Sequence, residues 1–242
     1  MIRNDANLGF AGGNNPGLRY ALARNDFAYV WLLNNDTVVA AETLGSLIEK
    51  AEHYKSAESK VGIIGSKLFF YRNPEIIQSV GGVYNKWLAA TRQIGLFDKD
   101  HGQYDNEGVA DKTDYPTGAS LFVFKEFLQD VGLMSEDYFL YFEELDWVLR
   151  GKRRHWKTGY CWQARVYHKE GATIGSSSDG AQRSEMSDYF GVKNRIVFTK
   201  KFYPHCLWSV RLGFVVVLLN RIRRCQFGRL GLLLRAFRGK PL

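Results

Sequence analysis

An α/β fold, with a mixed sheet flanked by helices and basic amphipathic helices at the C-terminal end, is what this sequence predicts. Short apolar runs alternate with stretches of helical spacing through the first half of the chain. The composition is that of a folded globular protein: 45% hydrophobic and 24% charged over 242 residues, enough for one large domain and a tail. Charge divides the chain. Up to Asp188 there are 21 basic and 25 acidic residues; beyond it there are twelve basic residues and no acidic one.

Taken in order, Asn7 to Gly17 (NLGFAGGNNPG) reads as a glycine-rich loop, with Pro16 in the first turn of a helix over 17–24. Tyr29 to Leu33 is an apolar run suited to a buried strand, and Glu42 to Tyr54 has helical spacing. Val61 to Phe70 reads as a strand, broken at Pro74. Residues 98–114 are polar and mixed, an exposed loop. Gly118 to Phe124 is a further strand, followed by a short helix from Lys125. Phe142 to Arg153 has helical spacing, His168 ends a strand-like segment, and Gly175 to Gly180 (GSSSDG) reads as a mobile loop. From about Ser187 the chain is helical, aromatic and basic. The apolar stretch Leu212 to Leu219 is far shorter than the roughly 20 residues a bilayer crossing needs, so an interfacial helix is expected there.

Three cysteines, Cys161, Cys206 and Cys225, form neither a disulfide framework nor a zinc pattern, and a reducing cytoplasm fits them. No signal-peptide pattern precedes the first motif. The basic tail suits an anionic membrane surface. Nucleic acid is excluded as a partner, because the tail's arginines alternate with leucine and phenylalanine and no nucleic-acid motif is present.

Four segments bear chemistry. The glycine-rich segment lets backbone approach a ligand closely, although an ordinary loop-to-helix junction fits it as well. Its glycine spacing is not that of a dinucleotide-binding loop. Asn34-Asn35-Asp36 follows an apolar strand, where ligand sites of open α/β sheets lie. A carboxylate there suits a hard cation bridging phosphates, while a cap for the following helix is the simpler local account. In Tyr138 to Arg150 (YFLYFEELDWVLR), Glu143, Glu144 and Asp146 fall within four residues. Helical spacing puts 143 and 146 on one face and 144 elsewhere. Their aromatic surroundings raise a carboxylate's pKa, as a general base requires, and the helix dipole also favours acids at this end. His168 is a lone histidine at a strand end, for which a structural role is the ordinary one.

Together these segments resemble the family 2 glycosyltransferases with the A-type nucleotide-diphospho-sugar fold, in particular the rhamnosyltransferase-like branch that builds bacterial surface polysaccharides. NLGFAGGNNPGLRYAL, LLNNDT, PTGASLFV, YFLYFEELDWVLRGKRRHW, VYHKEGAT and YFGVKNRIVF are similar to that branch's motifs in order, from about residue 2 to residue 203. The resemblance implies that Asp36 coordinates Mg²⁺ or Mn²⁺ on a nucleotide-diphospho-sugar donor, and that His168 completes the metal site. Asn34, where many members have aspartate, would face the ribose or the metal's outer shell. Glu144 would be the general base on the acceptor hydroxyl, with Glu143 and Asp146 orienting acceptor or base. Gly12, Asn14 and Gly118 would line the substrate cleft, and Lys193 would approach the diphosphate. The acceptor would be a lipid-linked or other glycan.

The family opens with a βαβα segment that grips the nucleotide, whereas Met1 to Asn4 already looks like its third strand. A truncated start is therefore expected, leaving an open apolar edge at Tyr29 to Leu33. The domains expected are a partial catalytic domain, 1–205, and a basic amphipathic membrane-docking tail, 206–242, on the cytoplasmic face of the membrane. The alternative is a non-catalytic remnant that binds membrane or a partner enzyme.

Overall fold

The computed structural model describes residues 2–169 and 184–241, so the GSSSDG segment lies outside the described residues. Helix α1 (Gly9–Arg24) leads into strands β1 (Tyr29–Leu33) and β2 (Thr37–Val39), then helix α2 (Thr43–Ser56). Strands β3 (Val61–Phe70), β4 (Asn73–Ser79), β5 (Gly82–Asn85) and β6 (Ala90–Gln93) follow, then a single helical turn, α3 (Gly108–Asp111). Strand β7 (Ser120–Phe124), helices α4 (Lys125–Val131) and α5 (Glu143–Lys152), and strand β8 (Lys157–His168) complete the sheet domain. Helices α6 (Glu185–Phe202), α7 (Leu207–Arg223) and α8 (Gly228–Phe237) end the described chain, with a 3-10 turn at Pro204–Cys206.

The main sheet runs β1-β7-β3-β8-β2, with β4 added along the outer half of β3, and β5–β6 form a separate hairpin. Only β3 and β8 pair in parallel; the other pairings are antiparallel. β7 is buried along its whole length and β3 along all but its last residue, including Ser66 and Lys67. Helices pack over these strands, α2 with Leu47 and Ala51, α4 with Phe127, and α5 with Trp147, whose indole donates to the Gly132 carbonyl at 2.8 Å. β1 stands at a sheet edge with β7 as its partner, and its last residue, Leu33, is exposed.

Several local expectations change. The glycine-rich segment is helix rather than loop: α1 starts at Gly9, and Pro16 lies inside it. Glycine and proline propensities argue against such an early start, and tertiary contacts override them. Gly9 adopts φ +73° where any Cβ would lie 2.2 Å from the Phe139 carbonyl oxygen, and the Phe10 N–H donates to that oxygen at 3.1 Å. Asn15 pins the helix by exchanging hydrogen bonds with the backbone of Met134. Asn34-Asn35-Asp36 does not cap a helix, since it turns the chain from β1 into β2 and α2 begins only at Thr43. Pro74 lies within β4 at the irregular end of its pairing with β3. Residues 98–114 are tied down, because buried Lys67 pairs with Asp100 at 2.5 Å and Asp105 at 2.8 Å.

The C-terminal helices form a small bundle. α6 joins it to the sheet domain, since Phe198 and Phe202 belong to the main core while Tyr189 and Val192 pack against Phe214, Leu233 and Ala236. Buried Asp188 accepts from Arg221 at 2.7 Å and Arg229 at 2.5 Å, which clamps the turn between α7 and α8 onto α6. The stripe Leu230, Leu233, Leu234 and Phe237 is divided: Leu233 is buried and Phe237 stacks on Phe214 with centroids 4.3 Å apart, whereas Leu234 is exposed. Helical structure runs from Pro204 to Arg223, 20 residues that contain an 18-residue window of mean hydropathy 1.3, long and apolar enough by length and composition to cross a bilayer. The expectation of too short a segment counted only its wholly apolar centre. One face of α7 is nevertheless occupied by packing, through Val210 and Phe214.

Candidate active site

The turn after β1 is held in place by neighbouring backbone. The Asn34 N–H donates to the Ala119 carbonyl at 3.1 Å, and the Thr37 hydroxyl donates to the Asn34 carbonyl at 2.6 Å. β2 pairs antiparallel with the end of β8, Thr37 opposite His168. That register brings the Asp36 carboxylate to the His168 ring, with Nε2 and Oδ1 3.1 Å apart. On its other side the ring Nδ1 lies 2.9 Å from Gln78 Oε1. In the tautomer that donates Nδ1–H to Gln78, the Nε2 lone pair faces a carboxylate oxygen, an arrangement a cation between them would satisfy. One carboxylate oxygen and one imidazole nitrogen suit Mn²⁺ and accept Mg²⁺, with further ligands from phosphate or water. Among the described residues no group of three or more His, Cys, Asp or Glu side chains is arranged to hold a metal.

α5 carries the acids, and the chain enters it under strain. Tyr141 and Phe142 sit in the left-handed region at φ 71° and 77°, unfavourable for bulky side chains. Asn194 of α6 holds this corner, donating to the carbonyls of Leu140 at 2.7 Å and Tyr141 at 3.3 Å. The three acids then separate. Asp146 is fully buried and saturated, receiving hydrogen bonds from the Tyr138 hydroxyl at 3.0 Å and Arg150 Nε at 2.7 Å, with Lys201 Nζ at 2.7 Å. It anchors α5 and does not open on a cleft. Glu143 is also buried, with Oε1 lacking a partner. Burial, then the charge of Glu144, pushes the Glu143 carboxyl well above the usual carboxylate range. Glu144 is partly exposed at its surface, and burial of its carboxyl raises its pKa as well. The shared-face expectation for 143 and 146 holds, and that face is the core.

The segment Thr117-Gly118-Ala119 joins the two groups. Ala119 accepts from Asn34, and from the position of a Gly118 Cβ the Phe10 ring lies at 3.4 Å and Glu144 Oε1 at 3.7 Å. Thr117 shares a hydrogen bond of 2.7 Å with Ser79, the residue after Gln78, and both hydroxyls reach Gln93 Oε1. Buried Tyr115 lies in the field of Glu144, 3.5 Å from Gln93 Nε2.

Among the expected site residues, Asn34, Gly118 and Glu144 meet at this segment, whereas Asp36 and His168 contact each other and Gln78. Gly12 is buried with Leu8 and Glu136 as its nearest surroundings, and Asn14 donates back to the Phe10 carbonyl of its own helix at 2.8 Å. Lys193 lies over the rings of Tyr189 and Phe190, the latter stacked on Phe139 where α1 begins. Sequence reasoning missed Gln78, Phe10 and Asn194. Asn194 stands beside Lys193 in the quoted YFGVKNRIVF segment, whereas Gln78 carries no local signal.

Residues 1–186 match the family described as glycosyltransferase like family 2. The chain is 25% identical over 225 residues to the low-salt glycan biosynthesis hexosyltransferase Agl10 of Haloferax volcanii, covering 90% of this chain and 66% of that protein. It thus spans slightly under two thirds of that relative's length. Its fold is similar to the crystal structure of GalNAc-T7 with UDP, GalNAc and Mn²⁺, with a TM-score of 0.51 and 15% identity over 80% of this chain and 38% of that one.

Proposed function

The chain belongs to the family 2-like glycosyltransferases, and on that premise we propose that it transfers a sugar from a nucleotide-diphospho-sugar to a lipid-linked or polysaccharide acceptor with inversion at the anomeric carbon. Rhamnose is the first donor sugar to test, on the resemblance of the motifs to the rhamnosyltransferase-like branch. The observation that supports the reading is the meeting of Asp36 and His168 3.1 Å apart, on a turn whose Asn34 is hydrogen-bonded to Ala119, next to Gly118, whose Cβ position lies 3.7 Å from Glu144 Oε1.

Glu144 is the general base. It takes the proton of the acceptor hydroxyl as that oxygen attacks the anomeric carbon from the side opposite the leaving diphosphate. Its raised pKa makes it a stronger base than an ordinary carboxylate. Glu143 and Asp146 position it, Asp146 by fixing α5 to Tyr138, Arg150 and Lys201. Asp36 and His168 would hold Mg²⁺ or Mn²⁺, which would supply positive charge to offset that on the leaving diphosphate. Asn34 faces the nucleotide, Gly118 leaves room for the reacting sugar, and Lys193 approaches the donor diphosphate. The C-terminal helices dock on the cytoplasmic face of the membrane, which brings the site to an acceptor that cannot leave the bilayer.

The test is incubation of the purified protein with a panel of nucleotide-diphospho-sugars, Mn²⁺ and lipid-linked acceptors, with the product anomer read by NMR. Transfer with inversion, abolished in Glu144→Gln, is expected. Retention overturns the inverting mechanism, and absence of transfer from every donor overturns the catalytic reading.

A further inference from the structure

The exposed apolar side chains of the described residues are not scattered at random around the C-terminal bundle. On α7, Trp208, Leu212, Val215, Val216, Leu219 and Ile222 are all exposed, from 44% to 62%. They recur three or four residues apart and so form one stripe along the side of α7 away from buried Val210 and Phe214. This stripe continues onto the sheet domain. The tip of the β5–β6 hairpin presents Trp87 and Leu88, 47% and 52% exposed. It is fastened to the foot of α7 by a Ser209 hydroxyl bond to the Trp87 carbonyl at 2.7 Å and by packing of the Trp87 and Trp208 rings, centroids 6.3 Å apart.

We propose that the hairpin tip Trp87–Leu88 and the outer stripe of α7 form one surface that inserts into the headgroup region of an anionic bilayer. The inference deepens the membrane reading of the C-terminal helices and rests on it, but it gives the sheet domain its own membrane contact. Charge and residue type identify the occupant. Lys86 and Arg211 flank the stripe, Arg223 and Arg224 stand at its far end, and no acidic residue follows Asp188. Paired tryptophans beside arginine and lysine are the composition of a membrane interface, where an indole sits at headgroup depth and long basic side chains reach the lipid phosphates. A second copy of this chain would bring like charges together. The same hairpin walls a groove of about 620 Å³, together with Leu145 and Leu149 of α5 and Tyr203 at the end of α6. Insertion of the hairpin would therefore set this groove, next to the helix that carries Glu144, at the lipid boundary.

The experiment is sedimentation of the whole protein with vesicles of phosphatidylcholine, with and without phosphatidylglycerol, alongside quenching of tryptophan emission by brominated lipid. The wild type should bind the anionic vesicles preferentially. The double variant Trp87→Ser, Leu88→Ser should lower partitioning about tenfold, with an unchanged circular dichroism spectrum. In a Trp208→Phe background, brominated lipid should still quench, and adding Trp87→Phe, which preserves an aromatic ring, should remove that quenching. Binding that is equal in the wild type and the double variant overturns the hairpin's role while leaving tail docking intact. Failure of the wild type to bind any vesicle overturns both. A concentration-dependent oligomer that the double variant abolishes, without vesicle binding, assigns the surface to a second copy and also overturns the proposal.

Discussion

Asp36 and His168, 132 positions apart in the chain, meet with their Oδ1 and Nε2 atoms 3.1 Å from each other. The contact is made by strand pairing, since β2 and the end of β8 lie in register at Thr37 and His168. Gln78 fixes the ring from behind, so three separate elements set the geometry of one small site.

Removing a member of this site should act on donor binding through the metal. His168→Ala is expected to abolish the Mn²⁺ dependence of nucleotide-sugar binding, measured by titration calorimetry. Gln78→Leu, which leaves both ligands in place but frees the ring, should weaken metal affinity by about 10–100-fold. Unaltered Mn²⁺ dependence in His168→Ala would exclude the histidine as a ligand.

Glu144→Gln should lower turnover by about 10²–10⁴-fold, the usual contribution of a general base, and leave donor affinity nearly unchanged. Near-normal turnover in that variant moves the role to Glu143. Because burial raises both carboxyls, the basic form is lost at a higher pH than for exposed glutamate. The acid limb of the pH–rate profile should accordingly lie above the ordinary carboxylate range and report the two groups as a pair.

Glu143 itself should make stability depend on pH. Its folded-state pKa is raised above the unfolded value, so its contribution to stability is fully present below the unfolded value and is lost as pH rises through the folded one. Glu143→Gln, which cannot ionise, should therefore melt higher relative to wild type at pH well above neutrality than at low pH. Melting curves at several pH values read this directly, and a pH-independent difference would contradict it.

Asn194→Ala should destabilise the protein by about 1–3 kcal/mol, because the carbonyls of Leu140 and Tyr141 lose a buried donor. Turnover should fall beyond what the lost stability explains, since the left-handed corner at Tyr141 and Phe142 aims Glu144. The kcat of the variant, measured well below its melting temperature, separates the two effects.

Asp188→Asn leaves Arg221 and Arg229 without their shared buried carboxylate, a loss of about 3–5 kcal/mol when one partner of a buried ion pair is removed. Limited proteolysis should then cut between α7 and α8 while the sheet domain stays intact. Protection equal to wild type would show that apolar packing around Leu233 and Phe214 holds the bundle alone.

Much of the architecture was determined locally. Tyr29–Leu33 is a short apolar run and Val61–Phe70 is rich in β-branched and aromatic residues, as strands are, and the helix at Glu143 has the spacing that helices need. Asp36, Glu144 and His168 stand out through the resemblance of their segments to the family's motifs, since read locally Asp36 suited a helix cap and His168 a structural role. What only the tertiary structure decided is which side of each element faces inward. Spacing puts Glu143 and Asp146 on one face of α5, but their burial depends on Tyr138, Arg150 and Lys201 being there to receive Asp146. Of the α8 stripe, Leu233 and Phe237 pack inward because Phe214 and Tyr189 meet them, while Leu234 stays exposed. α1 begins at Gly9 because Phe139, distant in sequence, presses on a position without a side chain. The Gln78 support of His168 likewise had no local trace. Periodicity records which residues share a face, whereas burial and hydrogen-bond partners are set by segments far along the chain.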